Sequence, residues 1–552
     1  ILFSEAVNLK TILSERVFRD LDLSELNHLY DKANIKNSWT GSLSLFNTLP
    51  ADSFAGTGTT TDVLKYPFVR WKNFISSSGS TFFINKYNTF RAWINALYLL
   101  KNIFRDAGYT FTSTFLNSTD FSKLYADFNT TYDDVTFNSY AYANEIIGTY
   151  TSTASILNAT SVSGTQSALF DLGTDKFTAV TNGTDVEVSL LLDLQSSSNT
   201  IEISLHHTNT SYSTNLTSGT IIWGGVTPNY TINVTPPNIL LDNGESLWLE
   251  MKTTSGSVQV DTTSAFRNIT FNINALSSVY LDNLLLGYKG DVNQWEYLKS
   301  FIDMFKLVVI QDDNNHNNLI IEPYKDWVDT GNLIDLTNKV DVDEIKYKPI
   351  EGLAKNIALR FIEDSDDWIT PNHKHPSIWK YGYNNITDLE IFDKDEELIE
   401  IPSISDTLVT SLEATSSSDI VIPQIISSVI GAGGQPDEAY WENNLRVLYD
   451  NGVQTLSGAD YSELPINTSG FYNEDEYLLF SAVKDYPITS TSKSIRFNTI
   501  AEDYSPQIVL DNLFNVYWAK YIDELYHKDT RLVSLEAYLN ADDISKINFN
   551  DI

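Results

Sequence analysis

The sequence predicts a mainly β protein with some α-helix, of the α+β class, that carries an inserted β-sandwich. An amphipathic helix leads into a strand at two places, about two hundred residues apart. Between them lies a stretch rich in Thr, Ser and Asn with many short runs of alternating apolar and polar residues, which predict strands over 186–190, 201–205, 246–251 and 269–273 among others. Two helix–strand units around a β-rich insertion account for this class.

The second helix–strand unit, residues 295–327, is the packing unit around which the chain is organised. Asp291 is its predicted N-cap, with Gln294 three residues later as in a capping box. A strand is predicted over 307–310 and another over 319–322, separated by a polar turn. The apolar residues of its helix share one face: Trp295, Leu298, Phe301, Ile302 and Phe305.

The first unit begins with the strongest helix pattern in the chain, residues 88–107. Asn88 is its predicted N-cap, and Gly108 stands where a C′ glycine belongs. A strand is predicted directly after Gly108, followed by a short helix over 120–128. The two units share the order helix, strand, without aligning residue by residue.

The composition divides the chain into four predicted regions. Residues 1–133 hold the first unit, 134–275 the inserted sandwich, 276–435 the second unit and further strands, among them one over 346–349, and 436–552 a C-terminal region. The last region is predicted to hold a helix over 505–525 and final strands over 532–539 and 547–552. Because the chain begins at Ile1 without Met and stops after Ile552, we expect an ordered portion of a longer polypeptide.

The net charge restricts the kinds of partner. The 552 residues carry a net charge of −36 and include no cysteine, which disfavours tight binding of a phosphate backbone and excludes disulfides and Cys-based metal sites. An acidic surface would still let DNA slide past without adhering. The sequence holds no apolar run long enough for a membrane helix, and we expect no membrane anchor.

An acidic cluster is the sharpest catalytic-looking feature. It consists of Glu363, Asp364, Asp366 and Asp367. A glycosidase needs two carboxyl groups that face each other across a cleft, which neighbours on one loop rarely achieve. We interpret the cluster as a solvated loop, and expect neither an enzyme nor a cofactor.

Metal binding has one weak set of candidates. His373 and His375 could place two imidazoles on one side of a strand, with Asp366 as a third ligand. The flanking prolines favour an exposed loop. The sequence 312–315 resembles the start of a calcium loop, but a hairpin turn fits it better because the glycine and the terminal Glu of that motif are missing.

Four aromatic residues of the predicted sandwich are candidates for stacking on sugars. They are Trp223, Trp248, Tyr212 and Tyr230. The competing interpretation is that they belong to the core of the sandwich, and it is the favoured one. Glycan binding through the sandwich is therefore the alternative function, that of a carbohydrate-binding adhesin or receptor-binding surface protein.

Three stretches together resemble a known family. They are RAWINALYLLKNIFRDAGYTFTSTFL (91–116), the unit 295–327, and the tail RLVSLEAYLNADDISKINFNDI (531–552), with the strand ALRFIEDSDDW (358–368) between them. This combination is similar to the tail-hub, or baseplate hub, structural proteins of tailed bacteriophages, particularly those that infect Bacteroidetes. The inserted sandwich departs from the family pattern.

The resemblance implies a structural virion protein. Such a hub is a homotrimer, with a hexamer as the alternative, and each subunit supplies two tube-like β-barrel domains. It closes the distal end of the tail, contacts tail-tube or distal tail proteins and tip, spike or fibre proteins, and forms part of the channel through which genomic DNA leaves. The protein would be assembled in the host cytoplasm. A glycan-cleaving hub would require a lysin domain beyond Ile552.

Overall fold

The computed structural model of the 552-residue chain describes most of it in separate segments. They are residues 5–28, 32–47, 49, 62–71, 90–128, 139–164, 166–180, 184–194, 201–208, 213–215, 230–234, 239–241, 243–253, 256–263, 267–274, 288–328, 330–365, 367, 384–386, 394–411, 421–425, 444–455, 476–502, 505–548 and 550–551.

A five-stranded antiparallel sheet, here the central sheet, joins the N-terminal part of the chain to its C-terminal part. Its strands, in spatial order, are Leu64–Lys65, Ala92–Asn95, Leu124–Phe128, Val447–Thr455 and Glu476–Ser481. All residues of Ala92–Asn95 and of Leu124–Phe128 are buried. The chain therefore returns to its starting sheet after more than three hundred intervening residues.

The two helix–strand units meet in a second sheet, here the unit sheet. Helix Ala96–Asp106 is followed by strand Thr110–Thr112, and helix Gln294–Phe305 by the hairpin Leu307–Asp312 and Asn315–Pro323. Thr110–Thr112 pairs in parallel with Asn315–Pro323. The similarity in element order therefore corresponds to direct contact between the two units.

Aromatic rings join the two helix–strand units to the π-helical turn Phe514–Trp518. Phe121 meets Phe301 with ring centroids 5.4 Å apart, and Phe115 meets Phe305 at 4.9 Å. Tyr517 then packs edge-on against Phe305 at 5.1 Å. Edge-to-face geometry is favoured between such rings, so this cluster fixes the relative positions of three distant segments.

The inserted segment forms two six-stranded antiparallel sheets. One contains Ser213–Asn215, Ile201–His207, Ser246–Thr253, Lys176–Thr178 and Phe170–Asp171, with Ser155–Ile156 on Ser246–Thr253. The other contains Tyr230–Val234, Thr184–Leu194, Arg267–Asn274, Ser139–Asn144 and Ser161–Ser163, with Ile239–Leu241 on Thr184–Leu194. Phe177 of the first stacks on Phe271 of the second at 4.9 Å, so the two sheets lie face to face.

The remaining strands form smaller sheets. A three-stranded sheet, here the acidic-edge sheet, contains Asn384–Ile386, Ala354–Phe361 and Lys394–Ile401, and a two-stranded ribbon pairs Val340–Pro349 with Arg531–Ala537. Further pairs are Thr149–Tyr150 with Val258–Gln259, Leu408–Ser411 with Val421–Gln424, Val483–Lys484 with Lys493–Ser494, and Ile500–Glu502 with Ser505–Ile508.

The remaining helical segments are each ten residues long or shorter. The other α-helices are Glu5–Ser14, Lys32–Trp39, Tyr324–Trp327, Ala519–Tyr526 and Ala541–Lys546, and a π-helical turn, Phe514–Trp518, leads into Ala519–Tyr526. Short 3₁₀ turns are Phe18–Asp20, Ser24–Leu26, Phe121–Lys123, Ser167–Leu169 and Tyr288–Asp291.

Several predicted boundaries were wrong. The helix predicted over 88–107 begins only at Ala96, because Ala92–Asn95 forms a strand of the central sheet and Asn95 caps the helix; the predicted cap Asn88 lies outside the described residues. Asn293, not Asp291, caps the second helix. The short helix predicted over 120–128 is one 3₁₀ turn followed by strand Leu124–Phe128.

The C-terminal predictions were also partly wrong. Of the helix predicted over 505–525, the first part is strand Ser505–Ile508, and the helical part begins at Phe514. The strand predicted over 532–539 is present as Arg531–Ala537. Helix Ala541–Lys546 follows it, capped by Asn540, and the described residues of 547–552 are not in a strand.

The structure is thus mostly β with helices, as predicted at the level of class. In the part of the chain that the structure describes, each sheet is open, and none closes into a barrel.

Candidate functional site

The acidic cluster singled out in the sequence is a buried ionic clamp, and the solvated-loop interpretation was wrong for two of its members. Asp364 and Asp367 are buried, whereas Glu363 is exposed and Asp366 lies outside the described residues. The guanidinium of Arg446 contacts Oδ2 of Asp364 directly and Oδ2 of Asp367 at 3.3 Å. Both carboxylates are therefore bound to one cation.

Arg446 also holds two further segments together. Its backbone N–H donates to Oδ1 of Asp127 at 2.6 Å, and its Nη1 donates to the carbonyl of Asp406. Burial alone would lower the pKa of Arg446, but the carboxylates of Asp367 and Asp364, with lesser contributions from Asp127 and Asp406, raise it above the usual value. The side chain thus stays charged in the core.

A second arginine extends this clamp. Arg496, also fully buried, donates from Nε to Oδ1 of Asp406 at 2.9 Å and from Nη2 to the carbonyl of Thr407 at 2.5 Å. Buried charges are tolerated only when paired and hydrogen-bonded. The two arginines therefore join the central sheet to the loops after strands Ala354–Phe361 and Lys394–Ile401, which is a structural task.

The weak metal candidates are not brought together in the described part of the chain. His373, His375 and Asp366 all lie outside it. Within it, no group of three or more His, Asp or Glu side chains is placed to hold a metal ion. Asp312 of the calcium-like stretch accepts from the backbone of Asn314 at 2.9 Å and closes a hairpin turn, as the alternative interpretation predicted.

Trp248 is neither a core residue nor an open platform for a sugar. It points outward from its strand between the buried Leu247 and Leu249. His206, on the neighbouring strand, stacks on the indole with centroids 5.5 Å apart. From the strand on the other side, Lys176 places Nζ 3.8 Å from the indole centroid. The indole is therefore flanked by side chains from both neighbouring strands of the same sheet.

The structure describes little of the other three glycan-binding candidates. Trp223 and Tyr212 lie outside the described residues, and Tyr230 is described only as part of strand Tyr230–Val234. Beside Trp248, His206 contacts Glu250 at 3.3 Å and Trp248 Nε1 donates to the same carboxylate at 2.9 Å. These polar groups are thus engaged with one another.

The feature most indicative of function is the two-stranded ribbon. Six of the sixteen large apolar side chains that are exposed in the described segments lie on it or directly follow it in the chain. Tyr347 and Val533 face each other in the register, so they share a face with Leu535, two residues further along. Tyr347 is 68% exposed and Leu535 44%. The apolar face of the ribbon is uncovered in the single chain.

Two further exposed apolar side chains lie in the ribbon or next to it. Val342 lies in the first strand, and Tyr538 follows the second. They are 72% and 79% exposed. Exposed apolar patches are typical of interaction surfaces.

The sequence predicted the strands of the ribbon but not its exposure. The strand predicted over 346–349 lies entirely within Val340–Pro349, and the strand predicted over 532–539 is present as far as Ala537. Their alternating pattern is typical of a sheet with one buried face. The signal that could have pointed to a surface is the run Lys346–Tyr347–Lys348, in which an aromatic stands between two charges.

Comparison with known proteins adds no relative: no protein-family model and no curated protein sequence matches the chain. Among the described residues, none of the helices has the length and apolar character needed to cross a membrane.

Proposed function

We propose that this protein is a structural subunit of a virion, the hub at the distal end of a bacteriophage tail, and that it works without catalysis. The observation that carries the proposal is the uncovered apolar face of the ribbon, formed by Tyr347, Val533 and Leu535. Exposed apolar area costs roughly 25 cal/mol per Å² relative to burial, so a chain with such a face is stabilised by assembly.

Two further features support this role. The helix–strand units, separated by the inserted sandwich, meet in one sheet through Thr110–Thr112 and Asn315–Pro323, as expected for paired scaffold units of a tube. The net charge of −36 would repel DNA phosphates and let the genome pass without adhering. The assembly would be a homotrimer, or alternatively a hexamer.

The tube-like barrels belong to the assembled state in this proposal. An open sheet presents unpaired N–H and C=O groups along its edge strands, and these groups accept a further strand. In the assembly, open sheets of neighbouring subunits would complete each other. Tail-tube proteins would bind on one side of the ring and tip, spike or fibre proteins on the other.

The proposal is tested by locating the protein in purified phage particles. Electron cryo-microscopy with a tag fused to the chain should place three or six copies around the tail axis at its distal end. Absence from the particle, or a position away from the axis, would overturn it. Glycan-array binding by the full chain would instead favour the adhesin, for which the occupied indole of Trp248 offers no support.

A further inference from the structure

We propose that a cavity between the two helix–strand units and the C-terminal segment binds the primary ammonium group of a small alkylammonium ion. This cavity, here the junction cavity, is lined by the rings of Phe115, Phe305 and Tyr517 and by the carboxylates of Asp120 and Asp511, among others. The site lies within one chain, so it does not depend on the hub proposal.

The junction cavity is built by four distant segments of the chain. Phe115 follows the strand of the first helix–strand unit, and Phe305 ends the helix of the second. Tyr449 belongs to the central sheet, and Tyr517 to the π-helical turn. The ring of Tyr517 packs 5.6 Å from that of Phe115 and 5.1 Å from that of Phe305, centroid to centroid. The lining is therefore held in place by the fold.

The size of the cavity limits the ligand. It contains about 310 Å³ of empty space, part of it open to solvent, and its enclosed part has room for a group about the size of one water molecule. A primary ammonium group has this size, whereas a quaternary ammonium group, with a carbon on every side, is too large. The open part leaves room for a short alkyl chain.

The hydroxyl of Tyr449 is the first sign of a ligand. Tyr449 lines the cavity and is 5% exposed, yet among the described residues its hydroxyl has no hydrogen-bond partner. Burial raises the pKa of Tyr449, and nearby Tyr517, Asp120 and Asp511 raise it further, so the hydroxyl stays protonated beside the other polar groups of the lining. Buried polar groups are nearly always hydrogen-bonded, so this hydroxyl indicates a polar ligand.

The carboxylate of Asp511 is the second sign. Within the segments that the structure describes, its side chain makes no hydrogen bond and no ion pair. Lys493 of the same lining contacts Asp120 instead, and Lys484 contacts Asp120 at 2.8 Å. Burial raises the pKa of Asp511, which Lys493 opposes and Asp120 reinforces. The lysines are thus engaged with Asp120, and the half-buried Asp511 is left without a cation.

An ammonium group meets these requirements together. Its N–H groups can donate to the carboxylate of Asp511 and to the hydroxyl oxygens of Tyr449 and Tyr517, and aromatic rings stabilise a positive charge. An anion would lie close to the carboxylates of Asp511 and Asp120. A water molecule would leave the charge of Asp511 uncompensated. The lining therefore selects a small cation with N–H donors.

Ligand-observed NMR on the full chain tests the site, with ethylammonium chloride as the probe. Saturation transfer to the ethyl protons should show saturable binding at neutral pH. Neither tetramethylammonium chloride, which is too large, nor potassium chloride, which has no N–H donors, should displace the probe at equal ionic strength. Absence of saturable binding would mean that the cavity holds water only, and displacement by either salt would mean that it does not select a primary ammonium group. Each of these results would overturn the proposal.

Two conservative variants locate the binding. Asp511→Asn removes the charge and keeps the shape, and Tyr449→Phe removes only the hydroxyl. Each should weaken ethylammonium binding by at least about tenfold, because hydrogen bonds that involve a charged group are among the stronger ones. Where one variant fails to fold by circular dichroism, the other decides. Unchanged affinity in a folded variant would overturn the site.

Asp326→Asn is the matched control for the change in charge. Asp326 has a side chain 52% exposed, pairs with Lys325 at 2.9 Å, and does not line the cavity. Because water and salt screen an exposed charge, this variant should bind ethylammonium within about twofold of the wild type. If Asp326→Asn weakens binding as much as Asp511→Asn, the probe responds to the net charge of the protein and the proposed site is wrong.

Discussion

Arg446 and Asp364, 82 residues apart in the sequence, form an ion pair shielded from solvent, with side-chain exposures of 0% and 4%. Asp364 also accepts from the backbone N–H of Asn444 at 2.9 Å. The pair therefore fixes the loop after strand Ala354–Phe361 against the strand that begins at Val447. Folding removes both charges from water, so each depends on the other for its stabilisation in the folded state.

Replacing Arg446 should be severely destabilising. Arg446→Met leaves the carboxylates of Asp364 and Asp367 buried without their cation, which we expect to cost about 3–5 kcal/mol in the free energy of unfolding. The matched control is Arg360→Met, because Arg360 pairs with Glu400 at 2.8 Å while both side chains are about one-third exposed; screening by water limits that loss to about 0–1 kcal/mol. Denaturant titration distinguishes the two. Equal losses would contradict the clamp.

The stability should fall between about pH 6.5 and pH 4 because of His28. Nδ1 of its buried ring lies 2.6 Å from the carbonyl of Leu26 and Nε2 lies 2.7 Å from the hydroxyl of Tyr66, an arrangement that suits a neutral ring with the proton on Nδ1. Burial lowers the pKa of His28 to about 4, although the Leu26 carbonyl opposes this. Between the two pKa values the unfolded chain binds the extra proton.

The sign follows from this difference in proton uptake. Above about pH 6.5 the ring is neutral in both states; below it, stability falls by up to about 1.4 kcal/mol per pH unit until the folded ring titrates. His28→Asn should remove this part of the slope in unfolding measurements across the range. His527→Asn is the control, since that side chain is more than half exposed. An unchanged slope in His28→Asn would refute the assignment.

The contact between the two helix–strand units should depend on Asn318. Thr110 donates to its Oδ1 at 2.9 Å, and its Nδ2 donates to Thr112 at 3.0 Å and to Asp312 at 2.9 Å. Asn318→Val removes these bonds inside a buried site, and we expect a loss of about 1–3 kcal/mol. Amide exchange at Thr110–Thr112 should accelerate as the parallel strand loosens.

The neighbouring residue supplies the control for Asn318. Asn317 is exposed, and Asn317→Val should change the free energy of unfolding by no more than about 0.5 kcal/mol. If both variants behave alike, the side-chain bonds to Thr110 and Thr112 do not hold the units together.

The sequence could predict the class of the fold and most of its strands, because these depend on local patterns. Strands at 186–190, 201–205, 246–251 and 269–273 were predicted from alternation alone and are present. The helix start at Ala96 was not predictable in this way, since Ala92–Asn95 is buried on both faces and such a run fits a helix or a strand equally well.

The solvated-loop interpretation of Asp364 and Asp367 was wrong because their partner lies far away in the chain. The residues next to Asp364 and Asp367 in the sequence give no sign of the partner Arg446. Two carboxylates in an acidic loop were therefore predicted to be exposed to solvent. Trp248 was weighed as core or sugar platform, and its position between His206 and Lys176 depends on a strand order that the sequence does not reveal. The domain boundaries stay a prediction.

Gly331 should be essential for docking the C-terminal segment. A Cβ at this position would collide with the backbone carbonyl of Asn550 and the amide of Asp551. Because these are backbone atoms, the clash cannot be relieved by rotation of a side chain. The docked segment is held by Asn550, whose Nδ2 donates to Thr330 Oγ1 at 3.0 Å, and by Asp551, which accepts from the backbone of Asn332 at 2.7 Å.

Gly331→Ala should therefore release residues 547–551 while leaving the core intact, because these contacts lie at the surface. Hydrogen exchange should show faster exchange at Asn332 and Asp551, with the denaturant midpoint nearly unchanged. Gly173→Ala is the matched control: its added Cβ meets only the side-chain oxygen of Asp171, at 3.2 Å, which can rotate away. If Gly331→Ala retains wild-type exchange at Asn332, the C-terminal segment does not lie against the loop as described. If the denaturant midpoint falls as far as in Arg446→Met, the contact between Gly331 and the C-terminal segment is part of the cooperatively unfolding core.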